Sequence, residues 1–181
     1  MKTTIVTMLF SLIFGFTYAQ DSKEVKNSGQ TSEGKWLIEV NTAFGTPVGA
    51  STGINYASQN GDSVYNFGVE AGYFVIDNLA LKMGLGYGGV KTDIDDTSIF
   101  SYKIGAKYYI VNQFPIQVDF SGASITDADE NPSYLGMQAG YALFLSDNVS
   151  VEPGFRYNLS LNQNYAKADT FQLNVGFALH F

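Results

Sequence analysis

Four carboxylates and four cations recur at matching positions of this 181-residue chain: Glu39, Glu70, Asp119 and Glu152 with Lys82, Lys103, Lys107 and Arg156. Each stands at an alternate position of a run whose intervening residues are mostly large and apolar, so all eight belong to the second face of their segments. Charges enclosed in a protein must be paired or hydrated. Equal numbers of each sign make pairing arithmetically possible, and the chemistry this set points to is an ion-pair network inside a lumen. Lys82 and Glu70 stand on runs joined by a short turn. Lys103 and Lys107 are placed to meet Asp119 on the next run, and Glu152 and Arg156 share a run. Catalysis has less to draw on. A hydroxyl nucleophile needs a base beside it, and the single histidine, His180, is one residue from the C-terminus, with no nucleophile and base near it along the chain. It reads as a polar residue at a lumen end, and the chain reads as a non-enzyme. Metal ligands are equally sparse. Asp127, Asp129 and Asn131 have the Asp-x-Asp-x-Asn opening of a calcium loop, but Pro132 and Gln138 stand where that loop needs glycine and glutamate. Asp93, Asp95 and Asp96 form a second acidic stretch. Both read first as solvated surface loops, and nothing in the chain implies a cofactor.

Eight alternating segments must position these charges: residues 35–46, 63–74, from 79 on, 99–110, 115–123, 133–145, 149–161 and 169–181. The third shows the pattern. One face is Leu79, Leu81, Met83, Leu85, Tyr87; the other is Ala80, Lys82, Gly84, Gly86, Gly88. In a soluble barrel the large apolar face points inward, which here would leave glycines around one lysine in water. Small residues suit the inside of a narrow barrel, where side chains compete for room. The large faces are therefore expected outside, against lipid, with aromatics such as Trp36, Tyr73, Tyr108 and Tyr141 near the two interfaces. Pro153 removes one ladder hydrogen bond, so a bulge or local break is expected in the seventh segment. Three connections are tight: Ile76-Asp77-Asn78, Val111-Asn112-Gln113 and Ser146-Asp147-Asn148. They recur every 35 residues, each preceded by an aromatic (Phe74, Tyr109, Phe144). The others, 47–62, 90–98, 124–132 and 162–168, are mostly longer and more polar. Short turns at one end and longer loops at the other is the pattern of an outer-membrane barrel.

Composition agrees. Hydrophobic residues make up 45% and charged residues only 15%, with 19 glycines, 12 tyrosines and 14 phenylalanines, where a soluble domain carries about 25% charged residues. A net charge of −7 argues against nucleic acid as a partner. Cysteine is absent, which excludes disulfides and a cysteine lipid anchor. Residues 1–19 have a short positive start, an apolar stretch and a small terminal Ala19, the layout of a secretory signal peptide. The alternative, a retained anchor, is short of the ~20 apolar residues of a spanning helix. Residues 20–34 are polar without periodicity and read as a flexible periplasmic tail. No later segment is apolar enough for a spanning helix, so entry into a membrane requires a closed barrel.

The repeated hairpins FVIDNLAL and FLSDNVSV, with the C-terminal strand FQLNVGFALHF, resemble the small outer-membrane β-barrel family of Gram-negative bacteria, the porin-like or OmpX/OmpA-like barrel domain. The resemblance covers residues 35–181. It implies an all-β, eight-stranded antiparallel up-and-down transmembrane barrel in the cell outer membrane, with the N-terminus and short turns periplasmic and the longer loops outside. Phe181 would be the terminal residue read by the outer-membrane assembly machinery. Outer-membrane lipid and lipopolysaccharide are the partners this implies, with an extracellular ligand at the loops as a further one and a monomer as the expected state. A weak divalent-cation site shared with lipopolysaccharide phosphates is the alternative for the acidic loops. The lumen is expected to be plugged by polar side chains, and the role to be structural or interaction-based. A narrow passive pore is the alternative, and a lipocalin-like soluble barrel would be the consequence of choosing the wrong solvent.

Overall fold

The computed structural model describes residues 29–45, 50–92 and 96–181; the expected signal peptide and the first part of the expected tail lie outside them. Among the described residues there are ten strands and no helix: β1 (Trp36–Gly45), β2 (Asn55–Gln59), β3 (Asp62–Ile76), β4 (Leu79–Lys91), β5 (Asp96–Ile110), β6 (Phe114–Ile125), β7 (Ser133–Gly140), β8 (Leu143–Ser146), β9 (Val149–Ser160) and β10 (Thr170–His180). All pairings are antiparallel; most join neighbours in the chain, β7 pairs with β9 past β8, and β1 closes the sheet by pairing with both β10 and β3. β7 and β8 are one wall strand and β2 is an arm outside the ring, so the wall has eight strands.

The break between β7 and β8 has a specific cause. Gly140 pairs with Gly154 and Leu143 with Val151, so the register is the same on both sides. Between them Tyr141 donates its N–H to Pro153 O at 3.0 Å, and proline has no N–H to return. The break expected in the proline's own strand thus falls on its neighbour, while β9 runs unbroken past Pro153 against β10.

The alternation resolves as a barrel with its large apolar face outward. Phe67, Leu81, Met83, Leu85, Ile104, Leu173 and Phe177 are each more than half exposed, whereas Glu39, Glu70, Lys82, Lys107, Asp119, Glu152 and Arg156 are buried. At the turn end the outward aromatics pair up, Trp36 with Tyr73 at 5.1 Å between ring centroids and Phe114 with Tyr141 at 5.2 Å. Phe181 closes the seam there: its N–H donates to Trp36 O at 2.9 Å, and Trp36 N–H donates back to Phe181 O.

At the loop end the wall forks. β3 pairs with β1 only from Trp36–Tyr73 to Glu39–Glu70, and with β2 from Asn55–Asn66 outward. The β2–β3 hairpin turns on Asn60-Gly61, both at positive φ (54° and 96°), as a tight two-residue hairpin requires. Residues 50–54 enter the lumen at the fork.

Candidate functional site

The lumen holds three layers. The middle one is the ion-pair network. Lys82 Nζ lies 2.9 Å from Glu39 Oε2 and 2.8 Å from Glu70 Oε2, and Lys103 reaches Glu70 Oε1. Lys107 bridges Glu39, at 2.6 Å, and Glu152. These contacts join five strands across the barrel. Arg156 forms the other group, holding Asp119 with both terminal nitrogens at 2.7 and 2.6 Å while its Nε donates to Asn158 Oδ1. Gln117 links the two groups, accepting from Lys82 at 2.9 Å and donating to Asp119 at 2.7 Å.

All eight charges named from the sequence lie inside, but the partners differ from those expected. Lys82 and Glu70 meet. Lys103 and Lys107 do not pair with Asp119: they turn to Glu70, and to Glu39 and Glu152. Asp119 sits opposite Gly105, between the two lysines in register, yet its carboxylate faces Arg156 two strands away. That reach depends on Gly136 of β7, which lies between them. A Cβ on Gly136 would stand 2.0 Å from Arg156 Nη2 and 2.7 Å from Asp119 Oδ1. Glu152 and Arg156, on one strand, take different partners.

The turn-end layer is aromatic. Phe74 and Tyr109 are buried and pack with Leu37, Ala80, Ala142 and Ala178, with Phe144 against them. These are the three aromatics of the 35-residue repeat. They surround His180, with centroids 6.2, 6.1 and 5.4 Å from its ring. His180 is not isolated, as its position in the chain implied: Ser150 Oγ lies 3.0 Å from Nε2, and Gln30 O lies 3.1 Å from Nδ1. Ser150 also donates to Glu152 Oε1 at 2.9 Å, and Tyr109 donates to the same oxygen at 2.8 Å. The Ser–His distance suits a nucleophile–base pair, but both residues are fully buried among rings and strap. The arrangement is a polar knot beneath the aromatic rings.

Residues 29–34, expected as tail, form that strap. Asn78 N–H donates to Thr31 O at 2.7 Å, Gly34 N–H to Phe74 O at 2.9 Å, and Glu33 N–H to Asp77 Oδ1 at 2.8 Å; the Thr31 hydroxyl donates to Asn78 Oδ1.

The loop-end layer is residues 50–54. Thr52 Oγ1 donates to Glu70 Oε1 at 2.7 Å, Ser51 N–H to Ser101 Oγ at 3.1 Å, and Ile54 N–H to Asn41 O at 2.8 Å. The glycine face makes room for it: a Cβ on Gly68 would fall 2.4 Å from Thr52 C, and one on Gly86 2.3 Å from Ser51 O. Beside it a polar chamber of about 40 Å³ is lined by residues including Asn41, Lys103, Arg156 and Asn174. No signal of periodicity marked this segment; the run of glycines opposite it did.

Of the three metal candidates Asp127, Asp129 and Asn131, the last is engaged by the backbone. Asn131 Oδ1 accepts the Ile125 N–H at 2.8 Å, and Glu130 accepts from Asn162 and Asn164. No cluster of three acid, histidine or cysteine side chains that could hold a metal occurs among the described residues. Asp93 and Asp95 lie outside them.

Comparison with known proteins rests on structure alone. No family model matches the chain and no curated protein matches it in sequence. Among solved structures, the chain is similar to the N-terminal β-barrel domain of Pseudomonas aeruginosa OprF, at 16% identity and a TM-score of 0.51, over 82% of this chain and 98% of that one. It is also similar to the Yersinia pestis outer membrane protein Ail in a phospholipid bilayer nanodisc, at 11% identity and a TM-score of 0.51, over 82% and 100%. The fold is the closed, eight-stranded antiparallel barrel of small outer-membrane proteins.

Proposed function

We propose that this chain is an integral outer-membrane protein with a structural or interaction role, its lumen closed and its longer loops presented outside. The observation that carries this is the continuity of the fill, from the inserted segment through the ion pairs to the aromatic knot under the strap. An eight-stranded barrel has an interior just wide enough for its own side chains, and here those side chains bond one another across it. The outward apolar belt supports lipid as the surrounding solvent. Lipopolysaccharide and the outer-membrane assembly machinery, the latter reading the strand that ends in Phe181, are the partners this reading carries, with a ligand at the loops left to be identified.

A second reading, a narrow pore, draws on the polar chamber beside Lys103 and Arg156, where water entering from the loop end would meet two cations. One sample decides between them. The protein purified in detergent is run on a gel with and without boiling, then added to a planar bilayer. A heat-dependent mobility shift without conductance is expected. Steady single-channel steps would favour the pore and make Lys103 and Arg156 the first residues to neutralise. Solubility without detergent and no heat shift would refute the membrane reading.

A further inference from the structure

We propose that the strap at residues 29–34 is a flap hinged at Gly34 and latched by His180, and that Ser150 keeps the latch closed whether the imidazole is neutral or charged. The latch does not depend on which solvent surrounds the barrel. The strap bonds described above, from Thr31, Glu33 and Gly34, all go to the end of β3 and its turn, at Phe74, Asp77 and Asn78. Gly34 has a φ of 87°, a conformation that suits glycine, and a Cβ there would meet nothing within 4 Å. On the β10 side the strap meets His180, whose Nδ1 lies 3.1 Å from Gln30 O.

The partners fix where the hydrogens of the ring lie. A backbone carbonyl only accepts, so the contact with Gln30 O needs a hydrogen on Nδ1. Nε2 faces Ser150 Oγ at 3.0 Å, and that oxygen lies 2.9 Å from Glu152 Oε1. The hydroxyl has one proton to give and can also accept, so it serves either of two acceptors. With a neutral ring it donates to Nε2, and Glu152 keeps the bonds from Tyr109 and Lys107. With a charged ring Nε2–H donates to the hydroxyl, which turns its proton to Glu152. Both arrangements leave Nδ1–H on Gln30 O. The remaining neutral tautomer, with its hydrogen on Nε2, would set a nitrogen lone pair against the Gln30 carbonyl and open the latch. The charged and titratable groups facing the ring are Glu152 of β9, Lys107 and Tyr109 of β5, and Glu39 of β1. β3 and β8 present Phe74 and Phe144, whose rings pack on the imidazole.

The chain has a single histidine, so its ring signals are unambiguous. The test is nitrogen-15 NMR of that ring in the protein refolded in detergent, from about pH 5 to about pH 8. Nδ1 is expected to carry hydrogen throughout, with the neutral ring as the Nδ1–H tautomer. A neutral ring protonated on Nε2 overturns the latch. Hydrogen exchange of the Glu33 and Asn78 amides reports the strap, since both donate across it. Their protection factors, corrected for intrinsic exchange, are expected to stay level over the same range. A fall as the ring loses its proton overturns the role of Ser150. His180→Asn keeps an amide donor near the place of Nδ1 and is expected to retain the strap's protection. His180→Gln reaches toward Ser150 instead and is expected to lower it roughly tenfold, the loss of one hydrogen bond. Both variants remove the ring. Equal loss in the two therefore assigns the strap to packing around the imidazole and overturns the latch, and no loss in either overturns it as well. Where a variant lacks the heat-dependent gel shift, the spectra and exchange of the unaltered protein decide.

Discussion

Asp119 and Lys103 illustrate how differently two lumen charges are held. The Asp119 side chain is fully buried, and its one cationic partner, Arg156, is almost as enclosed. Lys103 is a tenth exposed toward the chamber, and the Glu70 it serves also holds Lys82 and the Thr52 hydroxyl. Removing one partner of a buried pair strands the other charge, at a cost of about 3–5 kcal/mol. Asp119→Asn should therefore lower the urea-unfolding free energy in phospholipid vesicles by about that much. Lys103→Met, which leaves Glu70 with other donors, should cost nearer the about 1.5–3 kcal/mol of one charged hydrogen bond. Equal losses would mean that the charge is shared by the whole network and not held pair by pair. The membership of this set was legible because alternation assigns each residue a face. Its pairing was legible only for Lys82 and Glu70, whose strands share a tight turn. Asp119 and Arg156 are separated by β7, so their contact follows from closure and from Gly136, neither of which local spacing contains. Ser150 and His180 meet for a similar reason: they stand on different strands, 30 residues apart in the chain.

At the scale of elements, the segment at residues 50–54 is what the sequence concealed. It lies in a long connection without periodicity, and its hydrogen bonds go to Asn41, Ser101 and Glu70 on three different strands. Backbone drawn into a lumen must find partners there, and these are the partners. Glycines on a barrel's inner face read as simple economy of space; in this chain Gly68 and Gly86 are spaces already filled by a neighbouring segment. Gly68→Ala would drive a Cβ to within 2.4 Å of Thr52 backbone, closer than the segment can tolerate without moving. Amide hydrogen exchange followed by mass spectrometry is expected to show lost protection over residues 51–54 in that variant, with the β9–β10 pairing unchanged. Preserved protection at Ile54 would mean that β3 yields instead of the segment. The strap at residues 29–34 was hidden by the same lack of periodicity. Its polar residues suggested a free tail because they serve as backbone partners and not as a packed face.

For the whole molecule the decisive question is direction, since eight strands close equally well whichever end faces outward. The two ends are chemically unlike. One carries tight turns, the strap, the C-terminal seam and the aromatic knot around His180; the other carries the longer connections and the β2–β3 hairpin beyond the wall. Longer loops in such barrels are extracellular, and a hairpin with an all-exposed arm such as β2 suits water more than a thin periplasmic rim. Because the chain has no cysteine, a single introduced thiol reports one position without background. Gln59→Cys lies beside the hairpin turn, and Glu33→Cys lies on the strap. A membrane-impermeant maleimide is expected to label the first in intact cells, and the second only after the outer membrane has been permeabilised. The reverse pattern would invert the barrel. Labelling of both positions in intact cells would mean that the strap opens to the surface, and the sealed lumen would then have to be given up.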